Sequence, residues 1–542
     1  MCGIALITGS GADEDLFREM LSALEPRGET EQIVRDDHLL AGVRRLKIID
    51  RERAVQPWLS TDGHWLLCFN GEIFNYRQLR EELARLGRQF RTQSDTEVAA
   101  EAFAEWGEQA VGKFRGEFAL AIADRDTGRT YLARDPVGVK PLYWSCRHGR
   151  LYLASEVKAL TPVGAAISEV PPGQHGWAEP TGEPPALAPY LDLMSLGADL
   201  PPLEDSAEAA KLLRLAVEDS IRVRVDTDLT VGVILSGGID SSIVLSQVVQ
   251  MHPDCVALTI GAPGSDDLLY ARRLCGDLGV QHEVIGVRPA DIRAGDVREA
   301  IRISELSEYG DIINAVVSVP LFARARQLGI KVVLTGDGSD ELLGGYQMYE
   351  RTPEAASRQL LMRMIGNLHR TELQRVDRVS MGHGVEARVP YLDPAVVELA
   401  LRLPVGLKIR DGQEKWILRR AFEGVLPDYV LRRPKNPMSH SSGLHERARL
   451  FRPLFAGMHR SFGYDLLEPV HRDFSVVLRR CGDDLDSALA ATMTRQDYTR
   501  AEHARDLAGA LRWNASAALR RTPRTPTRRP PGRHVRTTRT SR

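Results

Sequence analysis

The sequence predicts two globular domains, of which the second belongs to the α/β class with a parallel sheet. The 542 residues exceed the length of one ordinary domain. Strand-like and helix-like apolar segments alternate after about residue 206, as they do in βαβ units. A proline-rich stretch at 161–205 lacks apolar periodicity and is expected to be a linker. The domains are therefore expected at 2–160 and 206–512.

The elements of the second domain follow from the spacing of apolar residues. Continuous apolar runs of four or five residues predict buried strands, whereas spacing of three and four predicts helices. The expected helices are 207–225, 243–249 and 265–271, and the expected strands are 231–235, 257–260, 282–284 and 330–334. In the first domain, Ile4–Ile7 can form a strand.

A glycine-serine heptad, 236–242, joins the predicted strand at 231–235 to the following helix. It consists of Ser236, Gly237, Gly238, Ile239, Asp240, Ser241 and Ser242. The glycines allow a sharp turn that brings backbone N–H groups and a helix N-terminus to one anion. The lysine of a Walker A loop is absent, so transfer of a terminal phosphoryl group is disfavoured. An ordinary Gly-Gly turn is the alternative, but the whole heptad favours an anion site.

A second glycine-rich acidic loop, 335–346, follows the predicted strand at 330–334. It begins Thr335-Gly336-Asp337-Gly338-Ser339-Asp340. Because ligands of open parallel sheets collect at the carboxyl ends of the strands, the two loops are expected to meet over one nucleotide. Asp240 and Asp340 would then share Mg²⁺ on its phosphates. Alone, this loop would be interpreted as a turn.

Composition favours a cytoplasmic enzyme without a membrane partner. The 43% hydrophobic and 27% charged residues are typical of a globular protein. No apolar run approaches the roughly 20 residues that cross a bilayer, and no basic leader precedes the N-terminal apolar run. The cysteines are scattered without a C-x-x-C pair, so neither a disulfide framework nor a zinc site is expected. They are Cys2, Cys68, Cys146, Cys255, Cys275 and Cys481.

The C-terminal tail, 513–542, is expected to be disordered. It holds nine arginines from Arg520 onward, several prolines and no acidic residue in that part. Such a tail can attach to nucleic acid, but its arginine-rich part from Arg520 onward lacks aromatic residues for base stacking. A solvated appendage is therefore favoured over a nucleic-acid partner.

Several motifs resemble known families. The heptad 236–242 resembles the pyrophosphate loop of ATP pyrophosphatases. The first half resembles the glutaminase domain of class II glutamine amidotransferases through Met1–Ile4, Pro26–Gly28, Arg45–Asp50, Phe69–Tyr76 and Ser94–Glu97. Further segments resemble the glutamine-hydrolysing asparagine synthetases, namely 134–143, 155–160, 368–378 and 384–393. The resemblance implies an α+β αββα sandwich of the Ntn-hydrolase type, followed by an ATP-pyrophosphatase domain of the adenine nucleotide alpha-hydrolase-like type.

For the first domain, the resemblance implies a cysteine nucleophile. If Met1 is removed, Cys2 carries both a thiol and an α-amine that can take its proton. Asn70 and the Gly71 N–H would stabilise the oxyanion. The glutamine-binding set would be Arg45, Leu46, Ile48, Asn70, Gly71, Glu72 and Asp95, with Arg45 on the α-carboxylate and the two acids on the ammonium.

Each of these residues also has a structural interpretation. Cys2 can be a small apolar residue that begins a strand. Asn70-Gly71 is a favoured hairpin turn. Ser94 and Glu97 match a capping box, which is compatible with the presentation of Asp95.

For the second domain, the resemblance implies ATP and Mg²⁺ as co-substrate and cofactor. The ATP-binding set would be Leu235, Ser236, Gly237, Gly238, Asp240, Ser241, Ser242, Ile260, Thr335, Gly336 and Asp337. Lys435 is the preferred catalytic lysine, with a solvated loop lysine as the alternative, and Lys415 lies in another basic motif. Arg388 and Glu386 can also form a structural ion pair.

The implied activity is that of a ligase which amidates aspartate to asparagine through an acyl-adenylate, with glutamine as nitrogen donor and AMP, pyrophosphate and glutamate as products. Val316 lies where related enzymes carry an arginine for aspartate, and Asp337 replaces a glutamate. An enzyme of specialised metabolism that amidates another carboxylic acid is therefore an alternative. A β-lactam-synthetase type is disfavoured by Cys2. A non-catalytic binding protein with a basic tail is disfavoured by the intact loops, and a homodimer is possible.

Overall fold

The computed structural model describes residues 1–9, 11–306, 309–346 and 354–434, with only the backbone described at 309–310 and 354–360. These residues belong to one compact unit, Met1–Gln496. The predicted helical segment beyond residue 434, the predicted tail at 513–542 and Lys435 lie outside the described residues. Within the described ranges, no helix has the length and apolarity needed to span a membrane.

The N-terminal part contains two antiparallel six-stranded sheets. The first has the order β10-β8-β9-β1-β3-β2 and the second the order β12-β11-β7-β6-β5-β4. The strands are β1 (Cys2–Thr8), β2 (Thr30–Asp36), β3 (Leu39–Arg45), β4 (Trp58–Leu59), β5 (Trp65–Ile73), β6 (Gly116–Asp124), β7 (Thr130–Arg134), β8 (Tyr143–Arg147), β9 (Arg150–Ala154), β10 (Ile167–Glu169), β11 (Gln174–Ala178) and β12 (Ala186–Pro189).

The two sheets face each other and carry helices on their outer faces. Alternating residues of β1, such as Ile4 and Leu6, pack with Ala119 and Ala121 of β6 in a core between the sheets. Helices α1 (Glu14–Ala23) and α4 (Val157–Leu160) cover the first sheet, and α2 (Tyr76–Arg85) and α3 (Asp95–Trp106) cover the second. This arrangement confirms the predicted αββα sandwich.

Three strands of the sandwich lie within 161–205, where the sequence predicts a linker. Strand β10 is the edge of the first sheet, and β11 and β12 complete the second. All three strands are short, and Pro189 ends the edge strand β12, a position where a missing N–H is tolerated. Strands of three to five residues are too short for a long apolar pattern, which explains why periodicity gave no signal here.

The second part is built on a five-stranded parallel sheet with the order β15-β14-β13-β16-β17. Its strands are β13 (Val231–Ile234), β14 (Val256–Gly261), β15 (Gln281–Gly286), β16 (Val332–Leu334) and β17 (Glu386–Arg388). The first four occur where the sequence predicts strands. The three residues of β17 lie beyond any strand predicted from the sequence and extend the sheet beside β16.

The helices of this part connect and cover the parallel sheet. They are α5 (Ser206–Arg224), α6 (Ile239–Met251), α7 (Asp266–Leu278), α8 (Ala294–Ser304), α9 (Tyr309–Gln327), α10 (Ser339–Leu343), α11 (Glu354–Asn367), α12 (Glu372–Met381), α13 (Pro394–Arg402), α14 (Val405–Lys408), α15 (Trp416–Ala421) and α16 (Asp428–Leu431). Helix α5 begins after Asp205, whose carboxylate accepts hydrogen bonds from the N–H groups of Ala207 and Glu208 at 2.8 Å.

Buried ion pairs join the sandwich to the parallel-sheet part. Arg27, which follows α1, contacts Glu156 at 2.6 Å and Asp377 of α12 at 2.9 Å. Glu117 of β6 accepts from Arg224 of α5 at 2.8 Å. All five side chains are almost fully buried, so each charge depends on its partner.

Candidate active sites

Cys2 is the first residue of β1 and lies in the core between the two sheets. Its N–H donates to Asn70 Oδ1 at 3.0 Å, and its Sγ lies 3.6 Å from Gln56 Nε2. Burial raises the pKa of the Cys2 thiol, while the N-terminal ammonium and the Arg45 guanidinium act in the opposite direction. The thiol therefore depends on its immediate neighbours for activation.

Asn70 and Gly71 lie inside β5, opposite Ala119 and Phe118 of β6. The alternative of a hairpin turn at Asn70-Gly71 is therefore wrong. Asn70 Nδ2 is buried and has no hydrogen-bond partner, because Asn70 uses Oδ1 to hold the Cys2 N–H. A Cβ at Gly71 would lie 2.2 Å from the carbonyl oxygen of Glu117, so only glycine permits this approach. An unpaired donor thus lies next to the candidate nucleophile.

Arg45 ends β3 directly opposite Cys2. Its guanidinium donates to the carbonyl oxygens of Ile49 at 2.9 Å and Arg51 at 3.4 Å. The next residue, Leu46, is buried and donates its N–H to the Met1 carbonyl oxygen at 3.0 Å. Ile48, predicted in the same set, is also buried. Two residues of the predicted set, Arg45 and Leu46, therefore lie beside the N-terminus.

Asp95 is the first residue of α3, and Ser94 caps that helix by accepting from the Glu97 N–H at 3.2 Å. The Asp95 carboxylate accepts from the N–H groups of Ile73 at 3.2 Å and Thr96 at 2.8 Å. Burial raises the pKa of Asp95 despite these hydrogen bonds. The Glu97 carboxylate accepts from the N–H groups of Arg91 and Thr92. Only the Ser94 half of the predicted capping box is therefore formed.

Glu72, predicted to face the ammonium of glutamine, contacts Arg388 of β17 at 2.8 Å. Burial raises the pKa of Glu72, and the nearby carboxylates of Asp95 and Glu386 raise it further. The Arg388 guanidinium lowers this pKa but does not outweigh them. Glu386 pairs with Arg388 at 2.7 Å and with the Met1 ammonium at 2.8 Å. The pKa of Glu386 is lowered, because these two cations outweigh its burial.

The loop 236–242 turns at Gly237, whose φ of +69° favours glycine. Ser236 Oγ and Ser241 Oγ lie 3.1 Å apart, and the Gly238 N–H donates to Ser236 Oγ at 3.3 Å. Ser242 Oγ is buried without a hydrogen-bond partner at the start of α6. Before the loop, the Leu235 N–H donates to the Leu258 carbonyl oxygen at 2.9 Å; Ile260 is buried in β14.

The two glycine-rich loops meet at the edge of the parallel sheet. A Cβ at Gly336 would lie 3.0 Å from the Asp240 Cβ, so the second loop packs directly on the first. Ser339 Oγ donates to Asp240 Oδ1 at 2.5 Å. The Asp337 N–H donates to Thr335 Oγ1 at 3.4 Å within the second loop. The structure therefore brings together the loops that the sequence assigned to one nucleotide.

Lys415 links the two aspartates that were predicted to hold Mg²⁺. Its Nζ lies 2.6 Å from Asp240 Oδ2 and 2.5 Å from Asp340 Oδ1. The pKa of Lys415 is raised, because the two carboxylates outweigh the effect of its burial. Since both carboxylates already converge on one positive charge, Asp240 and Asp340 form an oxygen donor set that fits a divalent cation bound to phosphates.

A buried arginine lies in the region predicted to receive the acceptor. Val316 and Ser318 belong to α9, and Arg375 of α12 donates to Ser318 Oγ at 3.3 Å. Arg375 also pairs with Asp337 at 2.6 Å, and its Nε is buried without a partner. A cation therefore reaches this region from α12, whereas the resemblance places the arginine of related enzymes at the position of Val316 in α9.

Three residues of the two sites were not singled out from the sequence. Gln56 contacts Cys2, Arg375 contacts Asp337, and Arg433 donates to the Ser236 carbonyl oxygen at 3.0 Å. Arg375 lies within the motif 368–378. The motif indicated that this segment matters but assigned no role to Arg375. Arg433 lies two residues before Lys435, in the basic motif that the resemblance covers, whereas Gln56 had no distinguishing pattern.

Two family profiles match the chain in the order of its two parts. The profile described as a glutamine amidotransferase domain matches residues 1–172. The profile described as asparagine synthase matches residues 212–359 and 351–461. Together with the αββα sandwich and the paired loops of the parallel sheet, these matches define a ligase that carries a glutamine amidotransferase domain.

Similar proteins extend over most of the chain. Asparagine synthetase B [glutamine-hydrolyzing] of Escherichia coli is 33% identical over 435 residues, 76% of each chain. Asparagine synthetase [glutamine-hydrolyzing] 1 of Bacillus subtilis is 28% identical, over 78% of this chain and 83% of its own. The probable asparagine synthetase of Schizosaccharomyces pombe is 32% identical, over 82% and 85%. The chain belongs to the family of glutamine-hydrolysing asparagine synthetases.

Proposed function

We propose that this enzyme transfers the amide nitrogen of glutamine to aspartate and forms asparagine at the expense of ATP. The observation that carries the proposal is the presence, in one compact unit, of a buried Cys2–Asn70 pair and of two glycine-rich loops that converge at Asp240. The proposed substrates are glutamine, ATP and aspartate. Assembly as a homodimer stays a prediction.

In the glutaminase half, Cys2 with Met1 removed attacks the amide carbon of glutamine. The α-amine takes the thiol proton and returns it to the departing nitrogen, which leaves as ammonia. Water then hydrolyses the glutamyl thioester, which releases glutamate and restores the Cys2 thiol. Asn70 Nδ2, which has no other partner, and the Gly71 N–H donate to the oxyanion. Arg45 binds the α-carboxylate, and Asp95 accepts from the ammonium. Glu72 takes part by holding Arg388 and by facing the ammonium when glutamine is bound.

In the synthetase half, loops 236–242 and 335–346 hold ATP. The acceptor carboxylate attacks the α-phosphorus, and pyrophosphate leaves. Ammonia from the glutaminase half then attacks the acyl carbon, loses a proton and displaces AMP, which is a better leaving group than a carboxylate oxygen. Asp240 and Asp340 would hold Mg²⁺, which supplies positive charge for the departing pyrophosphate. Ser242 Oγ, buried and unpaired, is a donor for a phosphate oxygen. Lys435 stays the predicted catalytic lysine for charge on the phosphate.

Aspartate is the proposed acceptor because a buried cation lies beside the second loop. Arg375 contacts Ser318 and Asp337, and its unpaired Nε can donate to a second carboxylate of the substrate. Such a cation is suited to an acid with two carboxylates. A second candidate for the acceptor is a larger or less charged acid. The apolar Val316 favours it, because this chain lacks a charge where related enzymes carry an arginine.

Pyrophosphate release with Mg-ATP and glutamine, measured with and without aspartate, tests the proposal when asparagine is quantified in parallel. Aspartate-dependent pyrophosphate with an equal amount of asparagine is the expected result. A Cys2→Ala variant supplied with ammonium salt is the matched control, because it isolates the synthetase half. If glutamine is hydrolysed but aspartate releases no pyrophosphate, another acid is the acceptor. If neither reaction occurs, the proposal fails.

A further inference from the structure

Gln56 connects three parts of the glutaminase site through its side-chain amide. It lies in the segment between β3 and β4 and is only 3% exposed. Its Oε1 accepts from the Phe69 N–H at 3.0 Å, one residue before Asn70. Its Nε2 donates to Thr96 Oγ1 at 3.2 Å, one residue after Asp95, and lies 3.6 Å from Cys2 Sγ.

The orientation of this amide follows from its partners. A backbone N–H can only donate, so the amide atom that faces Phe69 must be the oxygen. The NH₂ group is thereby turned toward Thr96 and Cys2, and its two protons match the two acceptors that lie there. The sulfur of Cys2 therefore receives a hydrogen bond whose direction is set by strand β5.

A hydrogen bond of this kind favours the thiolate over the thiol. Charged acceptors form stronger hydrogen bonds than neutral ones, so a donor held at Sγ stabilises the negative sulfur. Burial raises the pKa of Cys2 and works against the thiolate. The amide of Gln56 opposes that effect without carrying a charge into the core.

We propose that Gln56 is a positioning residue that directs and stabilises the Cys2 thiolate for attack on glutamine. This inference rests on the proposed role of Cys2 as nucleophile. In the reaction, the thiol proton moves to the α-amine, Sγ bonds to the amide carbon, and the carbon–nitrogen bond breaks with release of ammonia. Gln56 transfers no proton. It holds the sulfur on the side of Asn70, where the oxyanion develops.

The pH dependence of Cys2 alkylation by iodoacetamide tests this role in full-length protein with Met1 removed. Gln56→Met keeps the length of the side chain and removes the donor. We expect this change to raise the apparent pKa of Cys2 by about one unit, which is about a tenfold loss of thiolate at a fixed lower pH. For glutamine hydrolysis, kcat falls and KM is unchanged. Gln78→Met, at an exposed position of α2, is the matched control and leaves the profile unchanged.

A second variant keeps the test decisive if Gln56→Met does not fold. Gln56→Glu retains an oxygen for the Phe69 N–H and places another oxygen toward Sγ. We expect a larger rise in the apparent pKa of Cys2 than in Gln56→Met. An alkylation profile equal to that of the unchanged protein, in whichever variant is folded, overturns the inference.

The outcome for Cys2 itself separates the inference from the proposed function. If Cys2→Ala retains glutamine hydrolysis, the proposed function is wrong and the role of Gln56 falls with it. If Cys2→Ala is inactive while Gln56→Met and Gln56→Glu alkylate as the unchanged protein does, only the inference is wrong.

Discussion

Arg388 donates from Nη2 to Glu72 Oε2 at 2.8 Å, across the boundary between the parallel sheet and the sandwich. Its carbonyl oxygen accepts from the Thr335 N–H at 3.1 Å. One residue therefore touches both the strand that carries Asn70 and the loop predicted to bind ATP.

The Arg388 contacts predict a large loss of stability for Arg388→Met. The change removes the guanidinium that pairs with the buried Glu386 and Glu72 carboxylates, and breaking a buried pair costs about 3–5 kcal/mol. The free energy of unfolding in urea measures this loss. The Glu386→Gln/Arg388→Met double variant should recover part of it, because the unpaired charge is gone. A loss below about 1 kcal/mol in the single variant would mean that the pair contributes no net stability.

Asn70→Asp should reduce glutamine hydrolysis through kcat. The change keeps an oxygen for the Cys2 N–H and removes the unpaired Nδ2 donor. Removal of one oxyanion donor lowers kcat by about 10²–10³. Steady-state kinetics with glutamine measure this effect, and asparagine formation from ammonium salt is the control that should be unchanged. An unchanged kcat would exclude Asn70 as an oxyanion donor.

Removal of divalent cations should separate the two half-reactions. Asp240 and Asp340 lie at the loops of the parallel sheet, whereas Cys2 contacts Gln56 and Asn70. With EDTA, we expect pyrophosphate release to stop and basal glutamine hydrolysis to continue. Added Mg²⁺ should restore pyrophosphate release. Parallel loss of both activities would contradict the assignment of the cation to these two carboxylates.

Arg375→Met should raise the KM for aspartate. A hydrogen bond to a charged group contributes about 1.5–3 kcal/mol, which is roughly a 10- to 150-fold effect. Arg375→Lys should lose less, because it keeps the charge but not the fork of donors. Initial rates of pyrophosphate release at varied aspartate measure the effect, and glutamine hydrolysis serves as the control. If KM for aspartate is the same in all three proteins, Arg375 does not bind the acceptor.

The contact between Arg27 and Asp377 should weaken in acid. Burial raises the pKa of Asp377, but the Arg27 and Arg378 guanidiniums outweigh it and hold the pKa at about 2 instead of 3.8. The folded chain thus binds this proton less readily than the unfolded chain, so the stabilisation is complete above pH 3.8 and is lost as the pH falls toward 2. The shift corresponds to about 2 kcal/mol. Urea unfolding between pH 2 and 5 should show this slope, and Asp377→Asn should reduce it.

The sequence predicts the parts of the fold that local patterns determine. Apolar runs located strands β13 to β16, and the heptad 236–242 located the loop that begins α6. Strands β10 to β12 were not predicted, because strands of three to five residues show no long apolar run. Strand β17 was not predicted, because three residues are too few to show periodicity. Its partner β16 is more than 50 residues away in the chain, so only the folded sheet reveals the pairing.

The candidate sites show the same limit at the level of side chains. Cys2 and Asn70 were found through motifs, and the structure places the Cys2 nitrogen 3.0 Å from Asn70 Oδ1. The partner of Glu72 was not found, because Arg388 lies 316 positions away and no local pattern encodes such a pair. Gln56 was missed for a different reason, since a buried glutamine has no periodic or compositional signature until its three partners are known.

The buried charges at Arg27 and Glu117 limit how freely this glutaminase domain can be exchanged between enzymes. In a chimera, a foreign N-terminal domain without these two charges would remove one of the two ion-pair partners that buried Asp377 and buried Arg224 each have. Recombination at the boundary would therefore favour N-terminal domains that carry both charges at matching positions. Because these charges must match across the contact surface, we expect the two halves of the gene to evolve together.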